Sequence, residues 1–139
     1  MKYMIMLFGS QRDYDAMAGH PADGQPGWTG AELAAMGEFM AAFNNDLVES
    51  GEFVDAQGLD APVHTRRIGN RDGEPFVTDG PYPETAEVLA GYTIVDCAGL
   101  DRATEIAARL NDCPGPAAIR ARAWAEIRPL AGALDELAV

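Results

Sequence analysis

The 139 residues predict an α+β domain in which two long helices cover one face of an antiparallel sheet. Three observations carry that prediction. Thr29-Gly30-Ala31-Glu32 is a capping box that opens a helix with apolar residues spaced by three and four. Lys2–Phe8 and Gly91–Cys97 are short apolar runs bounded by glycine or a polar residue, with the β-branched and aromatic content of buried strands. Between them, Asn70-Arg71-Asp72-Gly73 joins two strand-like runs, which is a hairpin signature.

In chain order, Lys2–Phe8 is the first strand. The stretch from Gly9 to Trp28 is rich in glycine, proline and aspartate and reads as a long connection, a lid or a mobile insertion. Trp28 anchors its end on the core. The helix that starts after Thr29 carries Leu33, Met36, Met40, Phe43 and Leu47 on one stripe, read as core, and stops at Gly51. Phe53–Gln57 is the second strand. Val63–Ile68 and Glu74–Val77 are the hairpin arms, and on the first arm His64, Arg66 and Ile68 share a face by period two. A second helix follows Gly99, with Leu100, Ala103, Ile106, Ala107 and Leu110 facing inward, and ends before Cys113-Pro114-Gly115-Pro116. Ile119–Arg128 alternates between small apolar and polar residues and reads as the last strand, stopped by Pro129. One domain over 1–130 and a C-terminal tail over 131–139 account for the chain.

The order β-α-β, hairpin, β-α-β is the ferredoxin-like split βαβ pattern. Two helices cover one sheet face only, while both parities of the first strand are apolar: Tyr3, Ile5 and Leu7 against Met4, Met6 and Phe8. A homodimer with sheets face to face, a dimeric α+β barrel, is therefore expected. The net charge of −12 repels phosphate backbones, so nucleic-acid binding is not expected. No apolar run reaches membrane-spanning length, and no signal-peptide cleavage pattern follows the first strand. Cys97 and Cys113 flank a helix that separates them by about 16 Å, too far for a disulfide, and a cytoplasmic location is expected.

The stretch Thr78–Asp96 concentrates the chemistry. Pro81 and Pro83 restrict the backbone on either side of Tyr82. Asp79, Tyr82 and Glu84 thus stand on a stiff turn beside a buried strand. Asp79, Glu84 and His20 are the candidate proton-transfer groups, and Tyr82, Arg66 and His64 the candidate ligand contacts, His64 and Arg66 as an anion-binding pair. The alternative is an architectural corner without chemistry. No Ser/His/Asp arrangement, phosphate-binding loop or metal-spaced Cys/His set occurs, so no cofactor and no metal are expected.

Asp79-Gly80-Pro81-Tyr82-Pro83-Glu84-Thr85-Ala86-Glu87, followed by Leu89-Ala90-Gly91-Tyr92, resembles the D-G-P-F-A-E-T-K-E plus L-G-G-Y motif of the DGPF proteins, a branch of the YciI-like (YCII-related) family. The motif departs at Tyr82, Pro83, Ala86 and Ala90. The short first strand, the Leu100-Asp101-x-Ala103 helix opening and the closing Glu126-Ile127-Arg128-Pro129 also match. The resemblance implies a ferredoxin-like dimeric α+β barrel, with members often found beside extracytoplasmic-function sigma factors. More distant YciI-like proteins are associated with a His–Asp pair, and one branch eliminates chloride from a chlorinated aromatic; His20 is only a loose positional neighbour of that histidine. Two function classes follow: a small-molecule-binding protein doing acid–base chemistry, or a non-catalytic binding or regulatory module.

Overall fold

A computed structural model describes residues 1–80 and 83–132. Six strands and four helices follow one another: β1 (Lys2–Gly9), α1 (Gln11–Met17), α2 (Gly30–Ser50), β2 (Phe53–Gly58), β3 (Arg66–Arg71), β4 (Glu74–Asp79), β5 (Val88–Asp96), α3 (Leu100–Ala108), α4 (Ala117–Arg120) and β6 (Ala125–Pro129). Single 3₁₀ turns occupy Pro62–His64 and Arg109–Asp112.

The main sheet has the order β2-β5-β1-β6, with every neighbouring pair antiparallel. It is open, not closed into a barrel within the chain. α2 begins where the capping box places it: Thr29 Oγ1 accepts from the Glu32 amide at 3.0 Å, and the Glu32 carboxylate accepts from the Thr29 amide at 2.9 Å. It ends at Gly51, whose φ of 78° is the left-handed conformation glycine adopts without penalty. Phe43 and Leu47 of α2 and Ala103 and Ile106 of α3 pack on Tyr3, Ile5, Val95 and Cys97. Tyr3 pairs directly with Val95, so both helices lie on the same face of the sheet. On the other face Met4, Met6, Tyr92 and Ile94 are only half-buried.

Four expectations need correction. The Gly9–Trp28 stretch is not all connection, because Ser10 and Asp13 form a second capping box that starts α1. Ile119–Arg128 is not one strand. Ile119 and Arg120 close α4, residues 121–124 turn away from it, and only Ala125–Pro129 reaches the β1 partners Tyr3–Leu7. His64 lies in a 3₁₀ turn behind Pro62, outside the strand, so it does not share a strand face with Arg66. Leu100 is 54% exposed, and the α3 stripe begins at Ala103.

β3 and β4 form a separate two-stranded sheet around Asp72 and Gly73, with φ of 52° and 81°, as a type I′ turn requires. Ile68 and Val77 face each other across it and are 73% and 61% exposed. Cys97 and Cys113 are free thiols.

Candidate functional site

The helix-facing row of the sheet loses volume from one end to the other. On β1 it runs Tyr3, Ile5, Leu7; on β5, Val95, Thr93, Gly91; on β2, Phe53, Ala56, Gly58. α2 does not taper with it: buried Leu47 and Phe43 give way to half-buried Met40 and Met36, which are about as large as leucine. Where the side chains shrink, sheet and helix no longer meet, and a cavity of about 430 Å³ remains. Beside it β5 and β2 approach too closely for a side chain at Gly91: a Cβ there would sit 3.0 Å from the carbonyl oxygen of Gln57.

Leu7, Gly58 and Ala90 form the cavity floor, and Met36 and Met40 its α2 wall. Tyr14 and Met17 of α1 line another wall, and Trp28, Ile119, Ala123 and Trp124 the remaining side. Past the methionines the cavity adjoins a second hollow of about 370 Å³ that reaches Asn44, Gln57 and Thr93. The Asn44 side-chain oxygen is buried with no hydrogen-bond donor among the described residues.

The rim is pinned from several elements. Trp124 stacks on Phe8 with ring centroids 4.4 Å apart, and its Nε1 donates to Glu87 Oε2 at 2.9 Å. Arg122 Nη2 donates to Asp13 Oδ1 at 2.6 Å, while Asp13 Oδ2 accepts the Ser10 amide at 2.9 Å. Trp28 lies flat enough on Gly115 that a Cβ there would come within 2.8 Å of its ring. The Tyr14 hydroxyl donates to the carbonyls of Leu59 at 2.8 Å and Ala90 at 3.3 Å. Burial, with Asp60 adding repulsion, holds the Tyr14 phenol above its ordinary range. Burial likewise raises the Cys113 thiol, against a smaller lowering effect of Arg120. Both groups are thus protonated at neutral pH.

The residues singled out in the sequence divide into three places. Asp79 and Arg66 are register partners at the base of the hairpin, with Arg66 Nε donating to Asp79 Oδ1 at 2.7 Å; both are well exposed. His64 borders the same shallow, open depression, and its Nδ1 lies 3.0 Å from Asp60 Oδ2. The Ala61 amide and then His64 hold the Asp60 carboxyl below its usual range. Glu84 is exposed, and its carbonyl accepts the Arg12 amide of α1 at 3.3 Å. The exposed His20 follows α1; its amide donates to the Asp15 carbonyl at 2.7 Å, and its ring has no hydrogen bond among the described residues. Tyr82 lies outside the described residues. Glu84 and Glu87 therefore flank the cavity rim through α1 and Trp124, while Asp79, Arg66 and His64 sit together on the hairpin side.

A family model described as the YCII-related domain matches residues 1–115. An uncharacterised protein of Rhizobium meliloti (strain 1021) is 31% identical over 105 residues, 75% of this chain and 80% of that protein. The chain belongs to the YCII-related family. In this YCII-related chain the cavity groups Asp13, Tyr14, Asn44 and Cys113 escaped the sequence reading. The signal that could have found them is the run of small residues, Gly58 with Ala90-Gly91, facing Met36 and Met40. Among the described residues, no group of three or more His, Cys, Asp or Glu side chains is placed to hold a metal, and no helix is long and apolar enough to cross a membrane.

Proposed function

We propose that this chain is a YciI-like small-molecule-binding protein whose ligand occupies the cavity between α1, α2 and the Leu7 end of the sheet. The observation that carries the reading is the taper. All three strands give up side-chain volume at the same end, leaving about 430 Å³, within the roughly 300–1,000 Å³ of small-molecule sites. The enzymatic form of the reading assigns proton transfer to Asp79, Glu84 and His20, with Tyr82, Arg66 and His64 contacting substrate, although none of the described residues among them lines that cavity. The non-catalytic form, a binding or regulatory module, draws on a specific observation. The Asp79 carboxylate is occupied by Arg66, and the cavity's own Asp13 by Arg122 and the Ser10 amide.

A ligand-observed NMR screen of small organic fragments tests the reading. Hits should compete for one site and be lost in Ala123→Trp, which fills the cavity from an exposed position. Hits indifferent to that substitution would refute it. Turnover separates the two forms: a bound compound recovered unchanged by the wild type and by Asp79→Asn alike is the non-catalytic outcome.

The cytoplasm suits the two free thiols, and a homodimer suits the sheet. The antiparallel order β2-β5-β1-β6, with α2 and α3 on one face, supports a ferredoxin-like unit whose Met4, Met6, Tyr92 and Ile94 face pairs with a second copy into an α+β barrel. Light scattering at micromolar concentration should give twice the mass of one chain; a monomer mass would sink the barrel.

A further inference from the structure

We infer that the cavity selects an uncharged, largely apolar ligand. This rests on the small-molecule reading above and narrows it. The lining contains no lysine, arginine or histidine among the described residues. An anion entering it would lose its hydration with no cation to replace it, a cost of several kcal/mol or more. The chain's net charge of −12 opposes the same anion before it arrives. A cation finds no open partner either, because Arg122 and the Ser10 amide already occupy the Asp13 oxygens at 2.6 and 2.9 Å. Tyr14 and Cys113 are neutral at physiological pH, since burial raises both. Their hydrogens are also committed, the hydroxyl to Leu59 and Ala90 and the thiol to the Pro114 carbonyl at 3.8 Å.

What the walls do offer is apolar and polarisable. Phe8, Trp28 and Trp124 contribute aromatic surface, and Met17, Met36 and Met40 contribute thioethers that adapt to flat or irregular shapes.

Four probes with one ring system test this by calorimetric titration: 2-naphthol, 2-methoxynaphthalene, 2-naphthoate and 2-naphthylmethylammonium. The expected result is saturable binding of 2-naphthol, with the carboxylate and ammonium probes at least about tenfold weaker. The methoxy compound, equally uncharged, should bind about as tightly as the naphthol. Ala123→Trp, or Ile119→Trp should the first fail to fold, should abolish binding of all four. Charged probes binding as tightly as 2-naphthol at an Ala123-sensitive site would overturn the ligand class and leave the binding reading standing. Binding of 2-methoxynaphthalene as weak as that of the charged probes would likewise overturn the ligand class. No saturable binding by any probe, or binding unchanged in the cavity-filling variants, would overturn both the class and the small-molecule reading.

Discussion

The two ends of the sheet–helix layer share β1, β5, β2 and α2 and differ in the volume of the strand side chains that face the helix. At one end Tyr3, Ile5 and Val95 meet Phe43, Leu47 and Ile106 with almost no exposure. At the other Leu7, Gly91 and Gly58 stand below Met36 and Met40, and the layer is hollow. Close-packed interiors leave few voids larger than a water molecule. A hollow of this size, beside the irregularity of the β1–β5 ladder between Leu7 and Phe8, is therefore a shaped feature that holds an occupant or solvent. Stability sits in the filled end and ligand binding in the hollow one. Substitutions can separate the two.

The largest effect should come from large-to-small changes. Phe43→Ala should cost about 3–5 kcal/mol, since a fully buried ring is replaced by a cavity. Met36→Ala should cost under about 1 kcal/mol, because the thioether already borders empty space and removes little packing when lost. Urea unfolding measures both. Similar costs at the two positions would mean the hollow end is packed in solution and the contrast is false.

The next effect is electrostatic and belongs to the filled end alone. Glu52, just after α2, accepts from Arg102 of α3 through both oxygens, at 2.7 and 2.9 Å, and from Ser50 at 2.8 Å. The Arg102 hydrogen bonds lead over the burial that opposes them and hold the Glu52 carboxyl down to about 2. A carboxyl depressed in the folded state stabilises above its unfolded value, here 4.5, and loses that contribution as pH falls toward 2. Glu52→Gln should lower the melting temperature at pH 7 by several degrees and change it little at pH 2. A constant gap between variant and wild type across that range would show that the pair is not the cause.

Both results bear on what was legible beforehand. The filled end could be read from pattern: the capping box at Thr29, the stripe through Phe43 and Leu47, the stop at Gly51 and the Asp72-Gly73 turn all act locally. The motif could be read as a stiff turn, yet its Glu87 matters through Trp124, which lies 37 residues away. The hollow end is made of absences. Gly58 and Gly91 mean little until strand register brings them face to face, and register is a property of pairing, not of spacing. Met36 and Met40 carry the period of core residues and line a cavity because nothing on the sheet fills the space opposite them. α1 is seven residues long, too short to show a period, and only its Ser10–Asp13 capping box marks it. Small residues near β6 alternate like a strand, but alanine also favours helix, and the length of β1 decides where α4 gives way to β6.

The smallest effect on stability, and the sharpest on dynamics, should come from the rim. Arg122 and Asp13 are joined at 2.6 Å with the arginine about half exposed, so solvent screens the pair. An ion pair of that kind contributes about 0–1 kcal/mol. Arg122→Ala should therefore leave the urea midpoint almost unchanged. The segment it holds, Ala117–Trp124, forms one wall of the cavity and is otherwise attached to the rest of the rim mainly by the Trp124 contacts with Phe8 and Glu87. Arg120 Nη2 adds a bond to the Asn111 carbonyl at 3.1 Å, and removing one of these three polar attachments should raise local opening without global unfolding. Amide exchange in 117–124 should then accelerate severalfold while the amides of Ile5 and Val95 keep their protection, and ligand release should quicken in step. Glu87→Gln keeps a hydrogen-bond acceptor for the Trp124 indole and should show a weaker form of the same change. Uniform acceleration across the rim and the filled end together would mean the two ends open as one unit, and the division of labour between them would fail.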